Sequence, residues 1–199
     1  KNCVYGIELN SSSNITILGN KISEADIPMY WIASAINILG ESSNINIIGN
    51  DITHNKWGVL VDDSPNLVIH HNNFLENYKE DVPIMHGFSA TWDDGKEGNY
   101  WNKYDAADKD GNGIGDKPHI IEENHQDNYP LMTPIVFFDA GTWGQENYKI
   151  KVVSNSTVSD FSFYPEGSKI QFDVEGEKWT SGFCRVTIPK ELLSTDSEW

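Results

Sequence analysis

The chain has 199 residues, of which 38% are hydrophobic, enough to pack a core and too apolar for a disordered polymer. Its formal net charge of −16 repels phosphate backbones and anionic lipid, which argues against nucleic acid or acidic membranes as partners. No apolar run approaches the length of a membrane span. The opening "KNCVYGIEL" already reads as a strand in mid-pattern, so further chain is expected upstream.

In chain order, three segments can be laid over one another: "GIELNSSSNITILGNKI" from Gly6, "AINILGESSNINIIGNDI" from Ala35 and "GVLVDDSPNLVIHHNNFL" from Gly58. In each, a first strand alternates so that Ile7 and Leu9, Ile36 and Ile38, or Val59 and Val61 share one face. A second strand does the same with Ile15 and Ile17, Ile45 and Ile47, or Leu67 and Ile69. A third begins at Ile22, Ile52 and Phe74. Matched positions of the second and third strands are 30 and then 22 residues apart, and the excess in the first interval is an insert around "ADIPMYWIASA".

Three short strands per turn predict the coils of a right-handed parallel β-helix over residues 1–80, each coil stacked on the last. Asn14, Asn44 and Asn66 recur at one corner, and Asn20, Asn50 and Asn72 at another, where side-chain amides can bond along a column. An insert that leaves the regular coil is a natural place for added function. Tyr30 and Trp31 within it, and Trp57 nearby, are therefore the candidate aromatic platforms for glycan.

The pair Asp62–Asp63, with His70 and His71 eight residues on, offers a weak catalytic candidate centred on Asp62, Asp63 and His70. Neighbouring strand residues point to opposite faces, so both carboxylates reach one cleft only if the turn rotates one of them. Residues 1–80 contain no arginine to clamp a uronate, and "DDSPN" is equally a set of turn formers. The six histidines lack ligand spacing and no Met-rich or Cys–His cluster accompanies them, which gives little support for copper. Cys3 and Cys184 are expected as two buried free thiols. Sequons at Asn10, Asn14 and Asn155 permit glycosylation without requiring it.

Residues 81–134 read as a closing segment containing "DKDGNGIGD". Asp108, Asp110, Asn112 and Asp116 place hard oxygen ligands at alternating positions, with the Ile114 carbonyl between them and Gly113 for the reversal. The twelfth position is His119, which departs from an EF-hand, so a remaining ligand is expected from Asp105, Glu122, Glu123 or Asp127. The expected ion is a structural calcium, because one tight loop supplies the strong ligands. "GNYW", residues 98–101, is expected to bury its aromatics and plug the end of the coil. Residues 135–199 alternate through "YKIKVVSNS", "SDFSFYP" and "SKIQFDVEG" between Gly, Pro and Asn turns, the pattern of a small, incomplete β-sandwich.

Residues 1–80 resemble the NosD-like β-helix family, also described as carbohydrate-binding and sugar-hydrolase repeats. "WDDGKEGNYWNKYDAADKDGNGIGDKPHIIEENHQDNYPLM" is similar to that family's closing segment, with W-D-x-G, G-N-Y-W, D-x-D-G-x-G-I-G-D and D-x-Y-P-L elements in order. Residues 135–199 are similar to C-terminal domains that follow β-helices in archaeal-type cell-surface proteins. The resemblance implies an extracytoplasmic protein, secreted or at the cell surface, and leaves activity open. The leading expectation is a module that binds polysaccharide or cell-surface glycan. A polysaccharide hydrolase or lyase with its site on the β-helix, and a purely structural stalk, are the alternatives.

Overall fold

The computed structural model describes residues 3–27, 32–83, 87–143, 145–164, 167 and 169–192. The chain divides into two compact units, residues 1–109 with 114–132, and residues 110–113 with 133–199. Among the described residues no helix is long and apolar enough to cross a membrane.

The first unit is a parallel solenoid. Its first coil holds β1 (Tyr5–Asn10), β2 (Ser13–Leu18) and β3 (Lys21–Ser23), and its second β4 (Ser34–Leu39), β5 (Ser43–Ile48) and β6 (Asp51–Thr53). The third holds β7 (Trp57–Val61), β8 (Leu67–His70) and β9 (Asn73–Leu75). Matched strands pair in parallel, with Ile7 against Ile36 and Ile36 against Val59, and with Ile17 against Ile47 and Ile47 against Ile69. The inward columns are therefore those expected from the alternation. Ile36, Val59, Ile47 and Ile69 are fully buried, whereas Ile7 and Ile15 of the first coil are half-buried.

A partial fourth coil follows that the repeat pattern did not announce. Glu80 bridges Trp57, β10 (Ala90–Thr91) pairs with β8, and β11 (Tyr100–Trp101) pairs with β9. These strands are two residues long, too short for an alternation to register. The legible signal was Gly98–Asn99, which repeats the Gly–Asn dipeptide at 19–20 and 49–50. Trp101 is buried and stacks on Phe74 with ring centroids 4.4 Å apart, so the last indole closes the apolar interior as "GNYW" suggested. The short antiparallel pair β12 (His119–Glu122) and β13 (His125–Asp127) completes this end.

An amide column, exposed at Asn20 and fully buried from Asn50 onward, runs through all of these coils. The Nδ2 groups of Asn20, Asn50 and Asn72 donate to Oδ1 of Asn50, Asn72 and Asn99 at 3.1, 2.9 and 3.0 Å, and each of those oxygens also accepts the backbone N–H of the donating residue. The column ends on Asp127, whose Oδ2 accepts Asn99 N–H at 2.7 Å and Trp101 Nε1–H at 2.9 Å while Oδ1 accepts Tyr129 N–H. A carboxylate can end such a column because it only accepts. At Gly98 an added Cβ would fall inside the Asp127 carboxylate, so only glycine lets the cap close. A second buried column, absent from the sequence reading, runs from Asn55 through Asn77 to Asp81.

The second unit contains an antiparallel sheet of β14 (Ile135–Trp143), β15 (Glu146–Ser154) and β18 (Cys184–Thr187), and an antiparallel pair of β16 (Thr157–Tyr164) and β17 (Lys169–Glu175). Ala140, Ile150 and Val152 form its buried centre, joined by Phe138, Phe161 and Val186. Cys3 and Cys184 are free, but neither is buried as expected: Cys3 is half-buried, and Cys184 is exposed at the first residue of β18, where the ladder ends opposite Ser154.

Asn72→Ala should lower unfolding stability by about 3 kcal/mol or more, since it takes the side-chain acceptor from the buried Asn50 N–H and the side-chain donors from the Ile47 carbonyl and Asn99 Oδ1. Urea unfolding measures the loss, with Asn44→Gly, an exposed position that keeps its left-handed backbone, changing stability by less than about 1 kcal/mol. Asp127 makes a second expectation. Burial first, and the neighbouring Asp93 charge, push its carboxyl up to about 6 against the hydrogen bonds it accepts from Asn99, Trp101 and Tyr129. The folded state then holds this proton more tightly than the unfolded chain, so its contribution is complete below about pH 4 and lost as pH rises through about 6. From about pH 4 to about pH 8 the stability of the wild type relative to Asp127→Asn should fall by about 2 to 3 kcal/mol in parallel denaturation series.

Candidate functional site

Outward-facing residues of the sheet β2–β5–β8–β10 build the candidate surface. Register places Thr16, Asn46, Val68 and Thr91 in one outer column, and Leu18, Ile48 and His70 in the next. The alternation that turns Ile45, Ile47, Leu67 and Ile69 inward turns these outward. Along one edge stand Asn14, Asn44 and Asn66, each at a left-handed φ of 55–59° that asparagine tolerates better than most residues. Their amides form an exposed ladder, Asn66 to Asn44 at 3.5 Å and Asn44 to Asn14 at 3.3 Å, and Asn46 donates to Thr16 Oγ1 at 3.4 Å. Asn14, Asn44, Asn46, Asn66, Val68 and Thr91 line a groove of about 470 Å³ that crosses four coils, roughly 14 Å along the axis.

At the other end of β8, His70 and His71 meet two carboxylates from the fourth coil. Their Nδ1 atoms lie 2.8 Å apart with the rings at 85°, and His71 Nε2 is 3.0 Å from Glu97 Oε2 and 3.9 Å from Asp94 Oδ2. The side chains of His71 and Glu97 are only 12% and 13% exposed, so this pair is shielded from bulk water. A local turn orders it: Asp94 Oδ1 accepts N–H groups from Lys96 and Glu97, and His71 N–H donates to Gly98 O across the coils. Burial works to raise the Asp94 carboxyl, but those backbone donors and the two nearby imidazoles outweigh it and hold the group below its ordinary range.

The structure does not bring the expected catalytic residues together. Asp62 and Asp63 occupy the turn after β7, with Asp63 exposed at φ 48°, whereas His70 ends β8. The four residues of β8 alone interpose about 13 Å of extended chain. Asp94 and Glu97, the carboxylates that do reach His71, lie in "WDDGKEG", a stretch legible only as part of the closing segment. Tyr30 and Trp31 lie outside the described residues. Trp57 opens β7, on a different sheet from the amide groove, and is half-buried.

A second groove, of about 460 Å³, is lined by Lys79, Glu80, Asp81, Trp101, His119 and Glu122 among others. His119 stacks on Trp101 at 4.7 Å, and burial lowers its pKa. Burial raises the Asp81 carboxyl against its hydrogen bond from Asn77 and the Lys103 charge. Lys103 Nζ donates to the carbonyls of Asn77 and Lys79, so this lysine braces the coil end.

In the loop 108–116, Asp116 N–H donates to Ala107 O at 2.8 Å and closes the neck. Lys109 N–H reaches Asp116 Oδ2, and Asn112 donates to both oxygens of Asp110. Ile114 bridges Leu131. Among the described residues no three His, Cys, Asp or Glu side chains converge as metal ligands. Asp127, one of the residues considered for a remaining ligand, has both oxygens engaged at the end of the amide column.

Parallel coils, inward aliphatic columns and a buried amide ladder together fix the type of repeat. Residues 1–96 match the family model for the right handed beta helix region. The match covers the three full coils and the beginning of the fourth. No curated protein matches the chain.

Proposed function

We propose that this is a secreted or cell-surface β-helix module that binds a neutral glycan along the amide groove. The observation that carries the reading is the exposed column of amides on successive coils. Each amide both donates and accepts, which suits the hydroxyls of a sugar chain, and their repeat along the axis suits a linear polymer. A protein of charge −16 disfavours polyuronates and sulfated glycans, which is why the expected ligand is neutral. The right handed beta helix match is consistent with a carbohydrate-binding or hydrolase-type module, and the NosD-like closing segment supports the extracytoplasmic placement. The second unit, with two antiparallel sheets contributing to one apolar cluster, is in this reading part of a β-sandwich.

Titration with neutral β-linked xylo- and gluco-oligosaccharides tests the groove. Asn46→Ala and Asn66→Gly should each weaken binding about fivefold to tenfold, the effect of losing one or two hydrogen bonds. Equal affinity in wild type and both variants would remove the groove from the account.

The loop from Asp108 to Asp116 is proposed to hold a structural calcium. Its closed neck and oxygen-only donor set fit a hard cation, and Asp108, Asp110, Asn112, Asp116 and the Ile114 carbonyl would hold it. Calcium a hundredfold above its Kd should add about 2.7 kcal/mol and raise the melting temperature by several degrees. Chelator should reverse the rise, and Asp108→Ala and Asp110→Ala should abolish it; a melting temperature indifferent to calcium would leave the loop as a hydrogen-bonded turn.

A further inference from the structure

We propose that β17 is the seam of a two-fold dimer, in which this strand pairs antiparallel with the same strand of a second copy of the chain. The inference concerns the second unit alone and is independent of the glycan groove. An edge strand presents unpaired N–H and C=O groups, and native proteins blunt such edges with bulges or by keeping the strand short. Three of the four edge strands in the two sheets of this unit are blunted. In β14, Asp139 stands opposite Lys149 and Gly141 opposite Tyr148, so one residue bulges out between them. In β16, Ser159 stands opposite Asp173 and Ser162 opposite Gln171, a second bulge, with Asp160 at a left-handed φ of 50°. β18 is four residues long. β17 differs: it runs for seven residues, and among the described residues it pairs with β16 on one side and with no strand on the other.

The side chains of β17 are laid out to meet their own image. In an antiparallel pair related by a two-fold axis, residues equidistant from the axis stand opposite one another. With the central Phe172 on the axis, Lys169 meets the partner's Glu175, Ile170 meets the partner's Val174, Gln171 meets the partner's Asp173, and the two Phe172 rings meet each other. Opposite charges and apolar pairs thus fall into the cross-strand positions that stabilise a sheet. Alternation puts Ile170, Phe172 and Val174 on one face. That face continues the buried cluster of this unit: Ile170 packs against it, and Phe172 stacks on Phe161 with ring centroids 6.4 Å apart. Val174 is 50% exposed there, and the partner's Ile170 would cover it.

Other registers fail on the same residues. A shift of one residue to either side sets Ile170 or Phe172 against the partner's Asp173 and exchanges the faces. A shift of two residues in one direction sets Asp173 against the partner's Asp173, and in the other it leaves Val174 and Glu175 past the end of the partner's strand. The favoured pairing is isologous, so it closes at two copies and consumes the one regular edge of each. A seam of this length buries less than the roughly 1,000 Å² of a stable interface, and chains of charge −16 repel one another at long range, so the pair is weak and reversible.

Sedimentation velocity of the full 199-residue chain from about 1 µM to about 1 mM, at about 0.15 M salt to screen the net charge, tests the seam. The wild type should pass from monomer to dimer across the series. Lys169→Glu and Glu175→Lys should each weaken dimerisation about tenfold, because each sets like charges opposite one another on both sides of the axis. The double variant should restore it, which a merely misfolded strand would not allow. Disulfide trapping reads the register. With Cys3 and Cys184 replaced by serine, Gln171→Cys mixed with Asp173→Cys should cross-link under mild oxidation. Either variant alone should not, because its two thiols stand two residues out of register, beyond the reach of a disulfide. A chain that stays monomeric throughout would overturn the proposal, as would a dimer indifferent to both charge reversals or a mixture that cross-links no faster than the single variants. Oligomers that keep growing with concentration would overturn the closed two-fold.

Discussion

The amide column from Asn20 to Asp127 is the interaction on which the rest of the architecture depends. Parallel strands can slip relative to one another, and a slip of one residue would exchange inward and outward faces. An asparagine that bonds both the backbone and the side chain of its neighbour in the next coil has a single satisfying register. Because Asn50, Asn72, Asn99 and Asp127 are fully buried, the alternatives leave donors unpaired in a low-dielectric interior, which costs about 1–3 kcal/mol each. The isoleucine columns then fall into place at no further cost in specificity, and so does every outward residue.

Asparagine plays a different part at the other corner. Asn14, Asn44 and Asn66 have the same spacing as the buried column, yet they stand in solvent with left-handed backbones and longer contacts. A satisfied, buried amide holds the coil together, whereas an exposed one retains hydrogens and lone pairs for another molecule. The same repeat that stacks the solenoid therefore lays an uncharged, hydrogen-bonding strip along its outside. The two ends of β8 differ again, because the fourth coil approaches one of them with "DDGKE" and supplies carboxylates to a histidine pair.

Acidic side chains do specific work at the ends of columns. Asp127 and Asp81 each close an amide ladder by accepting where another asparagine would have to donate onward. Both carboxyls are raised by burial, so the cap sets desolvation against the hydrogen bonds it accepts. Asp94 is the opposite case: more exposed and surrounded by donors, it stays ionised beside His71. A single residue type thus ends a ladder in one setting and supports an imidazole in another, according to how much water reaches it.

By itself the sequence determined the solenoid: aliphatic alternation and the matched Asn positions specified three coils, their register and their inward columns, because those features recur at fixed spacing and act between neighbours. It also marked the loop 108–116 as rich in oxygen ligands. Only the tertiary structure decided the fourth coil, whose two-residue strands carry no periodicity, and the capping of the ladder by Asp127, 28 residues beyond Asn99. It separated Asp62 and Asp63 from His70 across the length of β8, and set His71 between His70 and the carboxylates of Glu97 and Asp94 instead. The physical reason is that residues stacked along the solenoid axis meet through coil-to-coil pairing, and the length of an irregular coil, which sets who meets whom, is decided by turns and inserts that leave no repeating mark in the sequence.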